Sequence, residues 1–365
     1  MKTTALHALH TELGGKLVDF AGWELPVQFA GGLKEHQHTR EAASLFDVSH
    51  MGQVLIHPLT GDMADAAAAL ESVIPASVAG LEDGRQRYGL LTTPSGGVTD
   101  DLMFAHHGDR FFLVLNAART DVDLEVLRAL GGVRVEHLTD RALLALQGPG
   151  AEDALATLIP EVRGMVFMDS HVLGDVWVSR SGYTGEDGFE ISLPNDRAEQ
   201  FARALLAIDG VEPAGLGARD SLRLEAGMCL YGHELSESIT PVEADISWAI
   251  PKVRRTGGSR AGGFPGADVI LPQLDNGAER RRVGLRPEGR ALAREGSPLF
   301  ADEACTSGVG IITSGGFGAT VGGPIAMGFV PAEASVGSTF YTQVRGKALP
   351  MTVTELPFVP HNYKR

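Results

Sequence analysis

Arg87-Tyr88-Gly89-Leu90-Leu91-Thr92-Thr93-Pro94-Ser95-Gly96-Gly97-Val98-Thr99-Asp100-Asp101-Leu102-Met103-Phe104 places two strand-length apolar runs on either side of a proline and paired glycines. Pro94-Ser95-Gly96-Gly97 is the chemistry of a hairpin loop, so Arg87 to Thr92 and Val98 to Phe104 are predicted to pair as antiparallel strands. Two acids, Asp100 and Asp101, sit inside the second strand. Strand alternation sends them to opposite faces, so one of them points inward. A buried carboxylate is costly unless it is paired or used. On residue type alone two readings stay open: an aspartate satisfied by backbone donors near a turn, and a carboxylate poised to orient or deprotonate an amine.

Outward from this hairpin the pattern mixes short strands and helices without a regular βαβ repeat. Gln53 to Ile56 and Phe111 to Leu115 read as strands, Met63 to Val73 as an alanine-rich helix, and Asp121 to Leu130 as a helix with apolar residues at helical spacing. The mixture recurs with strands at Leu143 to Leu146, Val176 to Ser179 and Phe189 to Leu193, and helices at Ala198 to Ala207 and Gly217 to Ala226. From about Arg281 onward short strands are punctuated by glycine and proline with no convincing helix, which predicts a small β-barrel or sandwich. Thr256 to Gly266, with five glycines, is the best linker candidate. The class expected is α+β with an all-β C-terminal domain.

The chain has 365 residues and a formal net charge of −15, with 44% apolar and 21% charged residues. That is room for two or three cored domains at roughly 150 residues each, and the balance excludes disordered and fibrous classes. The longest charge-free stretch, Ala304 to Ala332, contains eight glycines and two prolines. It is therefore no membrane-spanning helix. Residues after Lys2 form no continuous apolar run and include Glu12 and Asp19, which points to a cytoplasmic protein. Two cysteines, Cys229 and Cys305, allow neither a disulfide framework nor a four-cysteine metal site, and both read as structural thiols. The acidic total argues against nucleic acid as a partner. Positive charge is local: Lys252, Arg254, Arg255 and Arg260 form one cluster, and Arg280, Arg281, Arg282, Arg286 and Arg290 another. Both invite an anionic ligand or an acidic partner, against the ordinary reading of a solvated charge run.

The familiar catalytic signatures are absent. Gly215-Leu216-Gly217 and Gly308-Val309-Gly310 lack the strand, helix and full spacing of a dinucleotide site. His233-Glu234-Leu235-Ser236-Glu237 has glutamate where a zinc-binding helix needs its second histidine. His36 and His38 read as a satisfied or solvated pair rather than metal ligands. There is no G-x-S-x-G elbow, no phosphate-binding lysine loop, and none of the six lysines signals a Schiff base.

What remains is a set of polar motifs inserted between apolar strands. Ala21-Gly22-Trp23-Glu24-Leu25-Pro26-Val27, Leu45-Phe46-Asp47-Val48-Ser49-His50-Met51, Gly96-Gly97-Val98-Thr99-Asp100-Asp101-Leu102, Leu146-Gln147-Gly148-Pro149, Gly182-Tyr183-Thr184-Gly185-Glu186-Asp187-Gly188-Phe189-Glu190 and Ala218-Arg219-Asp220-Ser221-Leu222-Arg223-Leu224-Glu225-Ala226-Gly227 occur in that order. Thr240-Pro241-Val242-Glu243, Phe264-Pro265-Gly266-Ala267, Arg281-Arg282-Val283-Gly284-Leu285, Thr313-Ser314-Gly315 and Phe358-Val359-Pro360 follow. Together they resemble the aminomethyltransferase family, the T-proteins of the glycine cleavage system, over essentially the whole chain.

The resemblance implies a three-domain folate-binding fold around a central channel: residues 1–50 plus 145–250 as a discontinuous first α+β domain, 51–144 as a second α+β domain, and 251–365 as the C-terminal β-barrel. It implies transfer of the aminomethyl carbon from the lipoyl arm of H-protein to tetrahydrofolate, a co-substrate, giving 5,10-methylenetetrahydrofolate and ammonia, with no metal. Of the acidic pair, the family's catalytic position matches Asp101, placed to hold the folate N10 and accept its proton. The family's folate contacts carry over to Glu190, Arg219 and Tyr363. A carboxylate suits the paired N–H donors of an aminopyrimidine edge, and a guanidinium suits carbonyl or carboxylate oxygens. Arg223, one helical turn beyond Arg219, is read either as a further contact or as one half of a surface ion pair. Met51, Tyr88 and Asn116 are expected as channel-wall residues, with plain core packing a competitor for Met51 and Tyr88. The segment Arg255 to Gly263 departs from the family by its glycines, which touches loop geometry. The basic clusters become candidate landing sites for an acidic carrier protein. Related folds also serve folate-dependent demethylases of small methylated substrates and folate-binding iron–sulfur assembly proteins. The Lys-Gly-Cys motif of the last is missing here, whereas the demethylase alternative turns on the channel mouth.

Overall fold

A computed structural model describes residues 1–365. The first half runs α1 (His7–Glu12), β1 (Lys16–Phe20), β2 (Trp23–Gln28), α2 (Gly32–Glu41), β3 (Ala43–Asp47), β4 (Gly52–Pro58), α3 (Met63–Glu71), β5 (Gln86–Thr92), β6 (Val98–His107), β7 (Arg110–Leu115), α4 (Thr120–Arg128) and β8 (Val133–Leu138). It continues with β9 (Arg141–Gln147), α5 (Ala151–Leu155), β10 (Ser170–Leu173), β11 (Val176–Ser179), β12 (Gly188–Pro194), α6 (Asn195–Leu206), β13 (Val211–Pro213), α7 (Leu216–Glu225) and α8 (Ala267–Asn276). Six strands complete the chain: β14 (Arg280–Pro287), β15 (Pro298–Phe300), β16 (Gly308–Gly318), β17 (Gly323–Pro331), β18 (Thr339–Val344) and β19 (Lys347–Thr354). The last six close into a barrel in the order β14-β17-β16-β15-β18-β19. The expected α+β class and all-β C-terminal barrel are both present.

Two sheets form the body that precedes the barrel. One is five-stranded and antiparallel, β5-β6-β7-β4-β8; the other is six-stranded, β10-β11-β12-β9-β3-β13, with only β13 and β3 parallel. Their inner faces meet, because Leu55, Ala105, Phe112 and Val114 of the first share one core with Phe46, Leu143, Ala145 and Trp177 of the second. The alternate residues go outward to helices. Val54, Ile56, Leu102, Phe104 and Leu113 pack with Leu70 of α3 and Leu124 and Leu127 of α4, and Leu144, Leu146 and Ile191 pack with Leu155 of α5 and Leu205 of α6. Because both faces of the central strands are buried, their sequences read as unbroken apolar runs rather than as alternating ones.

The quoted hairpin is present, with Leu90 opposite Asp101 and Tyr88 opposite Met103. Its two glycines differ in purpose. Gly96 has φ +87°, which supplies the turn, whereas a Cβ on Gly97 would lie 1.9 Å from the carbonyl oxygen of Glu237. The Thr256 to Gly266 segment is docked rather than slack: Phe264 is buried, Pro265 O accepts from Thr92 Oγ1 at 2.7 Å, and a Cβ on Gly266 would meet Thr93 O at 2.4 Å. Its glycines permit close packing, which corrects the reading of a free linker.

Sequence patterning did not anticipate β1–β2 or α8. The first turns through Ala21 and Gly22, both with positive φ, and the second carries Pro272 inside the helix, where the residue normally signals a break. The barrel is tied to the body by buried polar groups. Glu225 of α7 accepts from His36 Nε2, Arg40 Nη2, Thr320 N and Val321 N at 2.8–3.1 Å, and these contacts hold its carboxyl down at about 2 despite burial. Glu234 accepts from Thr313 Oγ1 and Ser314 Oγ of β16.

Candidate active site

On β6, Asp101, Met103 and Ala105 share the face turned to the opposing sheet, while Asp100, Leu102 and Phe104 face the helices. Asp101 is half-buried. Its Oδ2 accepts from Tyr88 Oη at 3.0 Å and its Oδ1 from Asn116 Nδ2 at 2.8 Å, so β5 and the residue that follows β7 fix both oxygens. Burial, and then the adjacent Asp100, push its carboxyl up to about 7. A base whose proton affinity lies near neutrality is poised to take up and give back a proton. Tyr88 is held protonated by burial and by Asp101, and its ring lies 5.2 Å from that of Trp248, which is 64% exposed.

Asp100 is fully buried and accepts from Asn116 N at 3.1 Å and Asn116 Nδ2 at 3.0 Å. Asn116 therefore links the two acids. Behind Asp100 stands Asp123 of α4, equally buried, and burial raises both carboxyls.

A second group of polar side chains lies close by. Glu190 of β12 faces a cavity between the sheets that is also lined by Met103, Phe112, Trp177 and Ser192. Its Oε2 accepts from Ser181 Oγ at 3.2 Å; burial raises its carboxyl and Arg219 offsets part of that. Arg219, in α7, stacks its guanidinium 4.8 Å from the Tyr183 ring centre, and its buried Nη1 has no hydrogen-bond partner. An orphaned buried guanidinium donor beside a carboxylate with spare acceptors is an arrangement built to receive a polar molecule. Tyr183 lies between the groups: its hydroxyl donates to Cys229 O, its ring stacks against Arg219, and burial holds it protonated. His50 is buried with its Nδ1 unpaired, and burial together with the Arg219 charge lowers it to about 4, so it stands neutral.

Asp101, Tyr88 and Asn116 are thus in direct contact, Glu190 and Arg219 sense each other, and Met51 packs half-buried on the inter-sheet core. One expectation changes. Arg223 is 1% exposed, and its donors go to Asp220 Oδ1, Glu234 Oε2, Met228 O and Ser314 Oγ, which makes it a buried strut between α7 and the barrel rather than a ligand contact or a surface pair. Tyr363 stacks on Phe167 at 4.0 Å in a tail laid over the Gly182–Gly188 loop, with no direct contact to Glu190 or Arg219.

Sequence reasoning missed Tyr183, His50, Asp123 and Trp248 as site residues. The first two stand in motifs it quoted, whereas Asp123 looked like an ordinary first-turn helix acid.

Much of each basic cluster is paired inside the molecule. Arg254 is buried against Glu71 at 3.1 Å, Arg260 pairs with the same carboxylate at 2.9 Å, and Arg255 donates to Ile250 O and Ser247 O. Arg280 pairs with Glu243, Arg281 donates to Ala334 O, and Arg282 is buried against Ala244 O and Gly227 O. Lys252, Arg260, Arg286 and Arg290 stay exposed. His36 is buried among Ser221, Glu225 and Thr320, so it is a satisfied histidine. No helix is long and apolar enough to cross a membrane.

Residues 6–254 match the GCVT N-terminal domain and residues 280–360 the glycine cleavage T-protein C-terminal barrel domain. The mitochondrial aminomethyltransferase of Dictyostelium discoideum is 42% identical over 100% of this chain and 94% of its own length. The aminomethyltransferase of Rubrobacter xylanophilus is 40% identical over 98% of this chain and 94% of its own. The crystal structure of glycine cleavage system aminomethyltransferase T from Bartonella henselae superposes with a TM-score of 0.93 at 42% identity, covering 100% of this chain and 99% of that one. By these matches, and by the sandwich and barrel that they share, the chain belongs to the glycine cleavage T-protein family.

Proposed function

We propose that this chain is the aminomethyltransferase of a glycine cleavage system and that Asp101 is its acting carboxylate. The aminomethyl carbon borne on the sulfur of a lipoyl arm of H-protein passes to tetrahydrofolate, which is a substrate. Ammonia leaves, the freed sulfur returns as a thiol, and 5,10-methylenetetrahydrofolate forms. The incoming folate nitrogen must give up a proton as it bonds to an iminium-like carbon. Asp101 suits that task, because its two oxygens are held by Tyr88 and Asn116 and its proton affinity lies near neutrality.

Glu190 and Arg219 fit opposite ends of a hydrogen-bond pattern: a carboxylate for the N–H donors of an aminopyrimidine edge, and a fork of donors for carbonyl or carboxylate oxygens. Tyr363 and Met51 enter this reading as outer contacts. Cytoplasmic residence belongs to the proposal too, supported by two cysteines that form no disulfide. Several relatives bear a mitochondrial name, so the fold itself does not choose a compartment.

The observation that carries the reading is the double clamp on Asp101. The demethylase and iron–sulfur assembly readings have no comparable support in the comparisons. Asp101→Asn keeps the shape and the hydrogen bonds of the strand, so tetrahydrofolate affinity should hold while turnover of aminomethylated H-protein falls by roughly 10²- to 10⁴-fold. Turnover within a few-fold of the parent protein would assign the chemistry elsewhere.

A further inference from the structure

The cavity between the two sheets brings Glu190 together with a polar side chain that the proposed reaction leaves unused. Gln86 of β5 lies opposite Ala105 of β6 and one strand period from Tyr88, so its side chain stands on the face turned to the opposing sheet. It is 6% exposed, it lines the same cavity as Glu190, and its buried Nε2 has no hydrogen-bond partner. A buried amide donor left unpaired is costly, and the backbone cannot shift to relieve it, because Gln86 N donates to Met168 O at 2.9 Å and ties the strand down.

Across the cavity the second sheet presents three oxygen-bearing side chains. Ser192 Oγ is committed twice, donating to Gln53 Oε1 and accepting from Arg141 Nε at 2.9 Å. Ser179 Oγ has a single partner, Ser170 Oγ at 2.8 Å, and the half-buried Glu190 carboxyl has a single one, Ser181 Oγ at 3.2 Å. Ser179 and Glu190 stand directly opposite each other on β11 and β12, so their spare acceptor capacity meets in one place. The cavity volume is about 10 Å³, which is the room one water needs and too little for any ring of a ligand.

We propose that one ordered water occupies this cavity, accepting from Gln86 Nε2 and donating to Glu190 and to Ser179 Oγ, and that Gln86 is thereby a positioning residue for the carboxylate that receives the folate. Three partners are the ordinary complement of a buried water, and the remaining walls, among them Met103, Phe112 and Trp177, offer it no competing acceptor. The water engages Glu190 from the closed side. The other acceptor sites of the carboxylate then stay open for the N–H donors of an aminopyrimidine edge, in an orientation fixed before the ligand arrives.

The inference rests on Glu190 as a folate contact, and the test keeps the two apart. Crystals of the parent protein should show water density within hydrogen-bond distance of Gln86 Nε2, Glu190 and Ser179 Oγ. That density should be missing in Gln86→Met, which keeps the length of the side chain and removes the donor. In calorimetric titration Gln86→Met should bind tetrahydrofolate about 2- to 10-fold more weakly, the effect of one neutral hydrogen bond. With aminomethylated H-protein as donor, the loss should fall on KM for tetrahydrofolate rather than on kcat. In a Glu190→Ala background the same substitution should cost no further affinity, whereas a merely structural Gln86 would weaken both backgrounds alike. A dry cavity in the parent, unchanged affinity in Gln86→Met, or equal losses in the two backgrounds overturns the proposal. The parent's density decides alone if Gln86→Met fails to fold. Glu190→Ala binding tetrahydrofolate as the parent does would sink the Glu190 contact and the positioning role with it, while a dry cavity beside weakened binding in Glu190→Ala sinks the Gln86 role only.

Discussion

Arg219 and Arg223 stand one helical turn apart on α7 and should respond in opposite ways to the same substitution. Methionine retains most of the side-chain stem and removes the charge. At position 219 the free protein loses a buried donor that has no partner and a stacking contact with Tyr183. The relief of desolvation and the lost cation–π contact, about 0.5–2 kcal/mol, roughly offset each other, so the melting temperature should stay nearly unchanged. The bound state loses a charge-assisted hydrogen bond, about 1.5–3 kcal/mol, which weakens tetrahydrofolate by about 10- to 150-fold. At position 223 the substitution strips Glu234, which is fully buried, of its only cation. Breaking one side of a buried pair costs about 3–5 kcal/mol, which for a chain of this size lowers the melting temperature by roughly 4–7 °C. Calorimetric titration with tetrahydrofolate and thermal melting of both variants measure the two effects. If Arg219→Met melts as early as Arg223→Met and binds tetrahydrofolate as the parent does, the division of labour argued from the orphaned Nη1 is wrong.

Glu71→Ala leaves Arg254 buried without its carboxylate and should cost about 3–5 kcal/mol in urea unfolding, whereas a loss below about 1 kcal/mol would mark the pair as an ordinary surface bridge. His107, stacked on Phe112 and bonded to Ser170 Oγ, is lowered by burial to about 4. Its folded form binds fewer protons than the unfolded chain, so its contribution is complete above about pH 6.5 and is lost as pH falls towards 4. The loss is on the order of 3 kcal/mol. His107→Phe should flatten the stability profile across that window, and an unaltered slope in urea unfolding at several pH values would exclude the mechanism.

Most of this architecture is local physics and could be read along the chain. Apolar runs of strand length, the Pro-Ser-Gly-Gly turn, the helical spacing of Asp121 to Leu130 and the glycine-punctuated C-terminal strands each specify their element through neighbours a few residues away. Alternation alone also separated Asp100 from Asp101, because the period of a strand needs no tertiary partner. The family motifs added the proposed roles of Glu190 and Arg219. What the chain order could not reveal is who meets whom across the fold. Arg219 and Arg223 share a helix and a residue type, yet one keeps a buried donor without a partner and the other meets Glu234 and, on the barrel, Ser314. The Lys252 to Arg260 cluster is basic in sequence, but Glu71, nearly two hundred residues earlier, takes up two of its arginines, Arg254 and Arg260. Asp123 is an unremarkable helix acid until α4 packs on β6 and sets it against Asp100. Side-chain type and spacing determine backbone form over short range, whereas burial and charge pairing depend on contacts that only the packed structure brings together.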